Sequence, residues 1–206
     1  MNTHGLNYLI GRNKEFKERH RNNLLYRQMS SGHYDTQEKR DQFLNYFQTW
    51  SNCFQKAMLL KTAFCEDPYF AHVFSKHYQE ELGHNEMLKK DRQKDSFKRD
   101  AVLEAVANWF PSKMVSLNQS EHIIIMNLTV EAAALVFYEF AKPAIDPDNK
   151  LSHFQAHGEI DICHESLGLD LLEDLNERQY KRLLEIQEDS WEMLDALMHR
   201  LGELTV

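Results

Sequence analysis

Six side chains able to bind a metal recur at helical spacing in this sequence. His157, Asp161 and His164 lie in the stretch LSHFQAHGEIDICHESLG, and at 100° per residue they fall within about 60° of one another on a helix. Their donor atoms can therefore converge on one point. Upstream, FSKHYQEELGHNEML sets Glu81 and His84 three residues apart, again on one helical face, and Glu131 interrupts the apolar stretch IIIMNLTVEAAALVFYEF. Three imidazoles and three carboxylates make a mixed nitrogen and oxygen donor set that suits iron or manganese and can hold a pair of ions through shared carboxylates.

These groups need rigid elements to carry them, and the composition supplies helices. Only 7 Gly and 4 Pro are scattered among long runs rich in Leu, Ala, Glu, Lys, Gln and Arg, residues that lose little rotamer freedom in a helix. The expectation is an all-α, single-domain bundle over residues 1–206. Breaks in the pattern predict helices over roughly 13–28, 36–64, 68–91, 99–110, 118–142, 149–167 and 175–202. Asp67 caps and Pro68 opens the third of these, while Pro111 and Pro143 are expected to end the fourth and fifth. The second carries the aromatic stripe Phe43, Phe47, Trp50, Phe54, and the last is expected to bury Leu184, Gln187, Trp191, Leu194, Met198 and Leu201.

The stripe Phe70, Phe74, His77, Glu81, His84, Leu88 favours Glu81 over its neighbour Glu80, which falls off that face. Glu131 lies on the row Ile124, Leu128, Glu131, Leu135, Tyr138, where an ionised carboxylate must be protonated, paired or bound to a cation. If the fifth and sixth helices form a hairpin about residue 144, Glu131 and His157 are equidistant from the turn. Glu139 would then lie roughly 12 Å nearer the loop. His77 and His153 extend the two histidine-bearing stripes by one turn each and suit either outer partners of the ligands or the lining of a cavity mouth. Gly83 and Gly158 adjoin candidate histidines in mid-helix, which close helix approach would explain. Cys163 points away from His164 and reads as packing. The plain alternative is a metal-free polar core in which His84 bonds Glu131 and His157 bonds Asp161. Six ionisable groups are a heavy desolvation load, which a dication relieves by neutralising the carboxylates.

A net charge of −8 with no basic block argues against a nucleic-acid partner. The N-terminus lacks the apolar core of a secretory signal, and the longest apolar runs, such as AAALVFY, read as too short for a membrane span. The expected location is the cytoplasm, without membrane contact. Cys53, Cys65 and Cys163 have no paired spacing and fit free thiols.

Glu81-x-x-His84, then Glu131, then His157-x-x-x-Asp161-x-x-His164, resembles the haem-oxygenase-like dimetal oxidases, relatives of the TenA thiaminases and the PQQ-synthesis oxidase (TenA/PqqC-like). The similarity extends roughly from His20 to Leu201. It implies a seven-helix up-and-down bundle that binds two iron ions, or a manganese and iron pair, and uses O2 to oxidise a small organic substrate such as an amine, amino acid or carboxylic acid. On that resemblance the six residues are the metal ligands, Glu131 is the bridge, no haem is bound, and the protein is a homodimer. The sister activities fit less well. TenA-type thiaminases use a cysteine nucleophile in the helix that here carries Glu131, and no cysteine occurs between 66 and 162. Haem oxygenase needs a glycine-kinked distal helix, and 118–142 contains no glycine, so His20 reads as structural rather than as a haem ligand. Two other functions compete with the oxidase. One is a non-enzymatic or regulatory bundle of the same fold, and the other a metal-free enzyme using these histidines as acid and base.

Overall fold

The computed structural model describes residues 5–94, 96–157 and 164–206, so Gly158, Asp161 and Cys163 lie outside the described residues. The described residues are helical and contain no strand, in agreement with the all-α expectation. The elements are α1 (Leu6–His20), α2 (Leu24–Ser30), α3 (Gln37–Ala63), α4 (Pro68–Glu81), α5 (His84–Asp91), α6 (Ala101–Ser116), α7 (Gln119–Ile145), α8 (Ser152–Ala156) and α9 (Glu177–Leu204). A 3-10 turn, Leu169–Leu172, precedes α9.

Polar caps set most of the starts. Asn23, Thr36, Asp67 and Asp100 each accept a backbone N–H in the first turn, and Asn118 and Asn176 form capping boxes with Glu121 and Gln179. Asn23 is also why the expected first helix is two, since its cap on Leu25 restarts the chain after His20. Pro111 and Pro143 do not end their helices. Each removes a donor, but the turns beyond them bury Met114 and Ile145, and that apolar burial offsets the lost bond.

α3 runs along α4, α5 and α6, while α9 packs on α1, α2, α6 and the first half of α7. The aromatic stripe of α3 is internal, with Phe43 and Phe47 stacked on each other and Phe47 stacked on Phe137 of α7. On α9, Leu183 is buried where Leu184 was expected, and the remaining positions of that stripe lie inside.

α7 is the central rod, with every residue from Glu121 to Ala133 buried. By length and composition it could cross a membrane, with a mean hydropathy of 1.7 in its most apolar window, which corrects the expectation that no apolar run is long enough. Of that window 78% is buried inside the protein, as in a core helix. Residues Ile123–Glu131 wind as a π-helix, so the 3.6-residue period does not assign faces there.

Two other expectations fail, both beside the candidate ligands. The 68–91 helix breaks at Leu82–Gly83, and the 149–167 helix is interrupted after Ala156, where His157 takes extended backbone (φ −95°, ψ 132°). The carbonyl of His157 accepts from Lys142 Nζ on α7.

Candidate metal centre

Glu81 is the last residue of α4 and His84 the first of α5. Between them Leu82 leaves the helical region and Gly83 takes φ +89°, a left-handed conformation that costs an ordinary L-residue about 1–2 kcal/mol. A Cβ on Gly83 would meet nothing within 4 Å, so this glycine serves the backbone turn and not close helix approach. Its N–H, freed from the helix, donates to Gln55 Oε1 at 2.9 Å. The hinge turns the His84 ring back onto Glu81, with Nδ1 2.7 Å from Oε2.

Among the described residues the donors form two overlapping groups. Glu81, His84 and His157 make one; His77, Glu81, Glu131 and His164 make the other; within each group one ligand atom per residue lies within 4.8 Å of the rest. All are buried. Among the described residues Glu81 belongs to both groups and Glu131, the bridge that the resemblance implies, to one. Asp161, the remaining expected ligand, lies outside the described residues. Glu139, the rejected alternative to Glu131, is on the surface in a bidentate pair with Arg21 at 2.7 and 2.8 Å.

His164 joins the carboxylates. Its Nδ1 is 3.3 Å from Glu81 Oε1 and 3.7 Å from Glu131 Oε2, and its Nε2 is 2.9 Å from Glu80 Oε2. Glu80 thus touches the site at its rim, which its position off the α4 stripe did not suggest, because His164 arrives from outside the helix. Burial by itself would lower the His164 imidazolium, but Glu131, Glu81 and Glu80 outweigh burial and push it up to about 10. Burial likewise acts to raise Glu81, and His164 and His84 reverse it, holding the carboxyl well below the usual carboxylate range.

His157 is held by aromatic contact. Its ring stacks on Tyr138 at 4.4 Å and 13° and meets the His84 ring edge-on at 4.6 Å. His153 belongs to neither group; its Nδ1 is 2.9 Å from the His84 carbonyl, so that nitrogen carries the proton and Nε2 accepts from the Tyr138 hydroxyl at 3.1 Å. His153 is a support for His84 and Tyr138, and burial lowers its pKa to about 3.

His77 has a dual position. Its Nε2 lies 3.0 Å from Glu131 Oε1, while Lys61 Nζ and Asn127 Nδ2 approach its Nδ1 at 3.0 and 3.1 Å. Two donors facing Nδ1 leave the ring proton on Nε2, where it donates to Glu131. Among the described residues that arrangement makes His77 the outer partner of Glu131. Lys61 is fully buried, and burial lowers its pKa to about 7 against the pull of Glu131 and Glu81. Sequence reasoning missed Lys61 and Asn127. The signal was present: the α3 stripe Trp50, Phe54 continues through Ala57 to position 61, where a lysine interrupts an apolar row just as Glu131 does.

The donor set suits a cation. Both Glu81 carboxylate oxygens, His84 Nδ1 and His164 Nδ1 are buried and near one another, yet none completes a hydrogen bond in a proper direction. These atoms meet one another in close pairs rather than in aligned hydrogen bonds, and a divalent ion among them would partner all four.

No family model matches the chain. A protein of Rickettsia prowazekii (strain Madrid E), described as uncharacterized protein RP592, is 33% identical over 200 residues, covering 97% of this chain and 96% of that protein.

Proposed function

The chain belongs to the same family as the rickettsial protein RP592, and we propose that it is a haem-oxygenase-like, non-haem dinuclear metal oxidase or oxygenase that uses dioxygen to oxidise a small organic molecule. The observation that carries this reading is the sharing of Glu81 between two buried donor groups. One carboxylate reaching two positions is how a protein holds a pair of ions.

In this reading Glu81, His84 and His157 hold one ion, and Glu81, Glu131 and His164 the other. The bound metals, iron by the preference of mixed imidazole and carboxylate donors, supply the electrons for dioxygen chemistry. The chain's own residues orient and enclose. Lys61 and Asn127 fix His77, which fixes Glu131; Tyr138 holds the His157 ring; Glu80 accepts from His164 Nε2 and sets which nitrogen faces the centre. Phe47, Trp50 and Phe137 keep water from the donors. A cytoplasmic location and a homodimer belong to the same proposal, the former supported by the free thiols of Cys53 and Cys65.

Metal analysis of protein produced with abundant iron tests this directly. About two equivalents per chain are expected, and protein that stays metal-free under those conditions overturns it.

One observation favours a second reading, a metal-free helical bundle. The chain from Lys61 through His77 to Glu131 and the pair of His164 with Glu80 are well-made contacts that satisfy part of the cluster. That reading requires chelation to leave stability unchanged, whereas a metal site requires added iron to raise it.

A further inference from the structure

Asn13 sits in the middle of α1 on the inward row Leu9, Asn13, Phe16, His20, and it is 1% exposed. An amide buried there needs partners on both sides, since it carries two N–H donors and an oxygen that accepts twice. Asn13 has all of them. Its Oδ1 accepts from Trp191 Nε1 at 2.9 Å and from Gln187 Nε2 at 3.1 Å, both on α9. Its Nδ2 donates to the Leu128 carbonyl at 2.8 Å and to Glu165 Oε1 at 3.2 Å, while Lys17 Nζ holds the other oxygen of Glu165 at 3.0 Å. With donors facing its oxygen and acceptors facing its nitrogen, the amide has one orientation.

The two acceptors lead to the donor group of Glu131 and His164. Leu128 lies in the π-wound segment Ile123–Glu131, three residues before Glu131, and Glu165 follows His164 directly. Such winding is rare and occurs mostly as single-turn bulges, so 9 residues of it need support from outside the helix. At its exit the Ala132 N–H donates to the Thr129 carbonyl, and the neighbouring Leu128 carbonyl accepts from Asn13. A return of this segment to α winding would turn Glu131 about the helix axis and away from His164. We propose that Asn13 is a positioning residue of the metal centre. One amide, anchored on α9, fixes both the π-wound backbone that carries Glu131 and the segment that carries His164, and so sets the separation of these two ligands. The inference rests on the dinuclear reading above and concerns one of its two ions. Among the described residues Asn13 makes no bond to Glu81, His84 or His157, the group assigned to the other ion.

The test uses the full-length protein and Asn13→Leu, which keeps the size of the side chain and removes its hydrogen bonds. Both are titrated with Fe(II) in the absence of oxygen, and bound iron is counted after dialysis. The wild type should hold two ions. The variant should hold one of them as tightly as the wild type and the other about ten- to a hundredfold more weakly, the usual effect of removing a partner that orients metal ligands. In chelated protein the ring resonances of His164 should move in the variant, and those of His153 should not. Glu165→Ala cuts only the arm to His164 and should weaken the same single ion; it is the second variant should Asn13→Leu not fold. Leu183→Ala, buried on α9 outside these bonds, is the control, and should lose stability but keep both ions. Two ions held by Asn13→Leu or Glu165→Ala as tightly as by the wild type overturn the positioning role and leave the metal centre standing. Equal loss of one ion from Leu183→Ala overturns it as well, because the effect would then follow stability alone. Wild-type protein that binds no iron removes the dinuclear reading instead, and the displacement of His164, read without metal, then decides the role of Asn13 by itself.

Discussion

Glu81 and His84 touch across a break in the helix that was expected to join them: Oε2 of one lies 2.7 Å from Nδ1 of the other, with Gly83 at φ +89° between. An unbroken helix would also bring residues three apart to one face. The break adds a second effect, because it makes His84 the first residue of α5 and frees Glu81 at the end of α4 to reach two donor groups.

Gly83→Ala is therefore expected to destabilise the protein by about 1–2 kcal/mol through backbone strain alone, since the added methyl meets no neighbour. Gly83→Asn should cost less, as asparagine tolerates the left-handed region. Urea unfolding of both variants checks this; equal stability of Gly83→Ala and wild type would show that the turn is not enforced.

Because among the described residues Glu81 belongs to both groups and Glu131 to one, the two glutamine variants should differ in metal content. Glu81→Gln is expected to lose both equivalents of iron, while Glu131→Gln keeps the one held with His84 and His157. Elemental analysis of the two purified variants decides it. Identical stoichiometries would remove the argument for a shared carboxylate.

In the chelated protein Lys61 and His164 make opposite contributions to the pH dependence of stability. Lys61 falls from 10.5 to about 7, so the unfolded chain binds the extra proton between those values and stability rises with pH across them. His164 rises from 6.5 to about 10, so the folded chain holds the extra proton and stability falls with pH between those values. The wild type should change little between pH 7 and 9.5. Lys61→Met removes the rising component, so its stability should fall over that interval, and a flat profile for the variant would contradict the opposition.

His122 predicts a separate acid dependence away from the donors. Burial is the main cause of its fall from 6.5 to about 4, partly offset by the Lys113 carbonyl. The unfolded chain then binds the extra proton between those values, so stability is lost as pH drops from 6.5 to 4, by about 3 kcal/mol. Measured in chelator, the wild type should lose this stability on acidification relative to His122→Phe. Parallel acid profiles would show that His122 charges as readily in the folded protein as in the unfolded chain.

The order of residues along the chain determined a good deal. Long runs of helix formers with few glycines specify α-helices, and apolar periodicity specifies which faces turn inward, because both arise from local backbone and solvent preferences. Out-of-place charges on those faces singled out Glu81, His84 and Glu131, all buried in the fold. Lys61 obeys the same rule and was legible in principle.

Only the tertiary structure decided how those residues are grouped. The 100° rule that aligned His157 with His164 presumes one helix, yet His157 is extended and belongs with Glu81 and His84, while His164 belongs with Glu131. The hinge at Gly83, the π-helix leading to Glu131 and the prolines carried inside α6 and α7 are likewise settled by packing. In each case burial against distant elements outweighs a local preference of a kcal/mol or a few, and no spacing along the chain records what lies across the core.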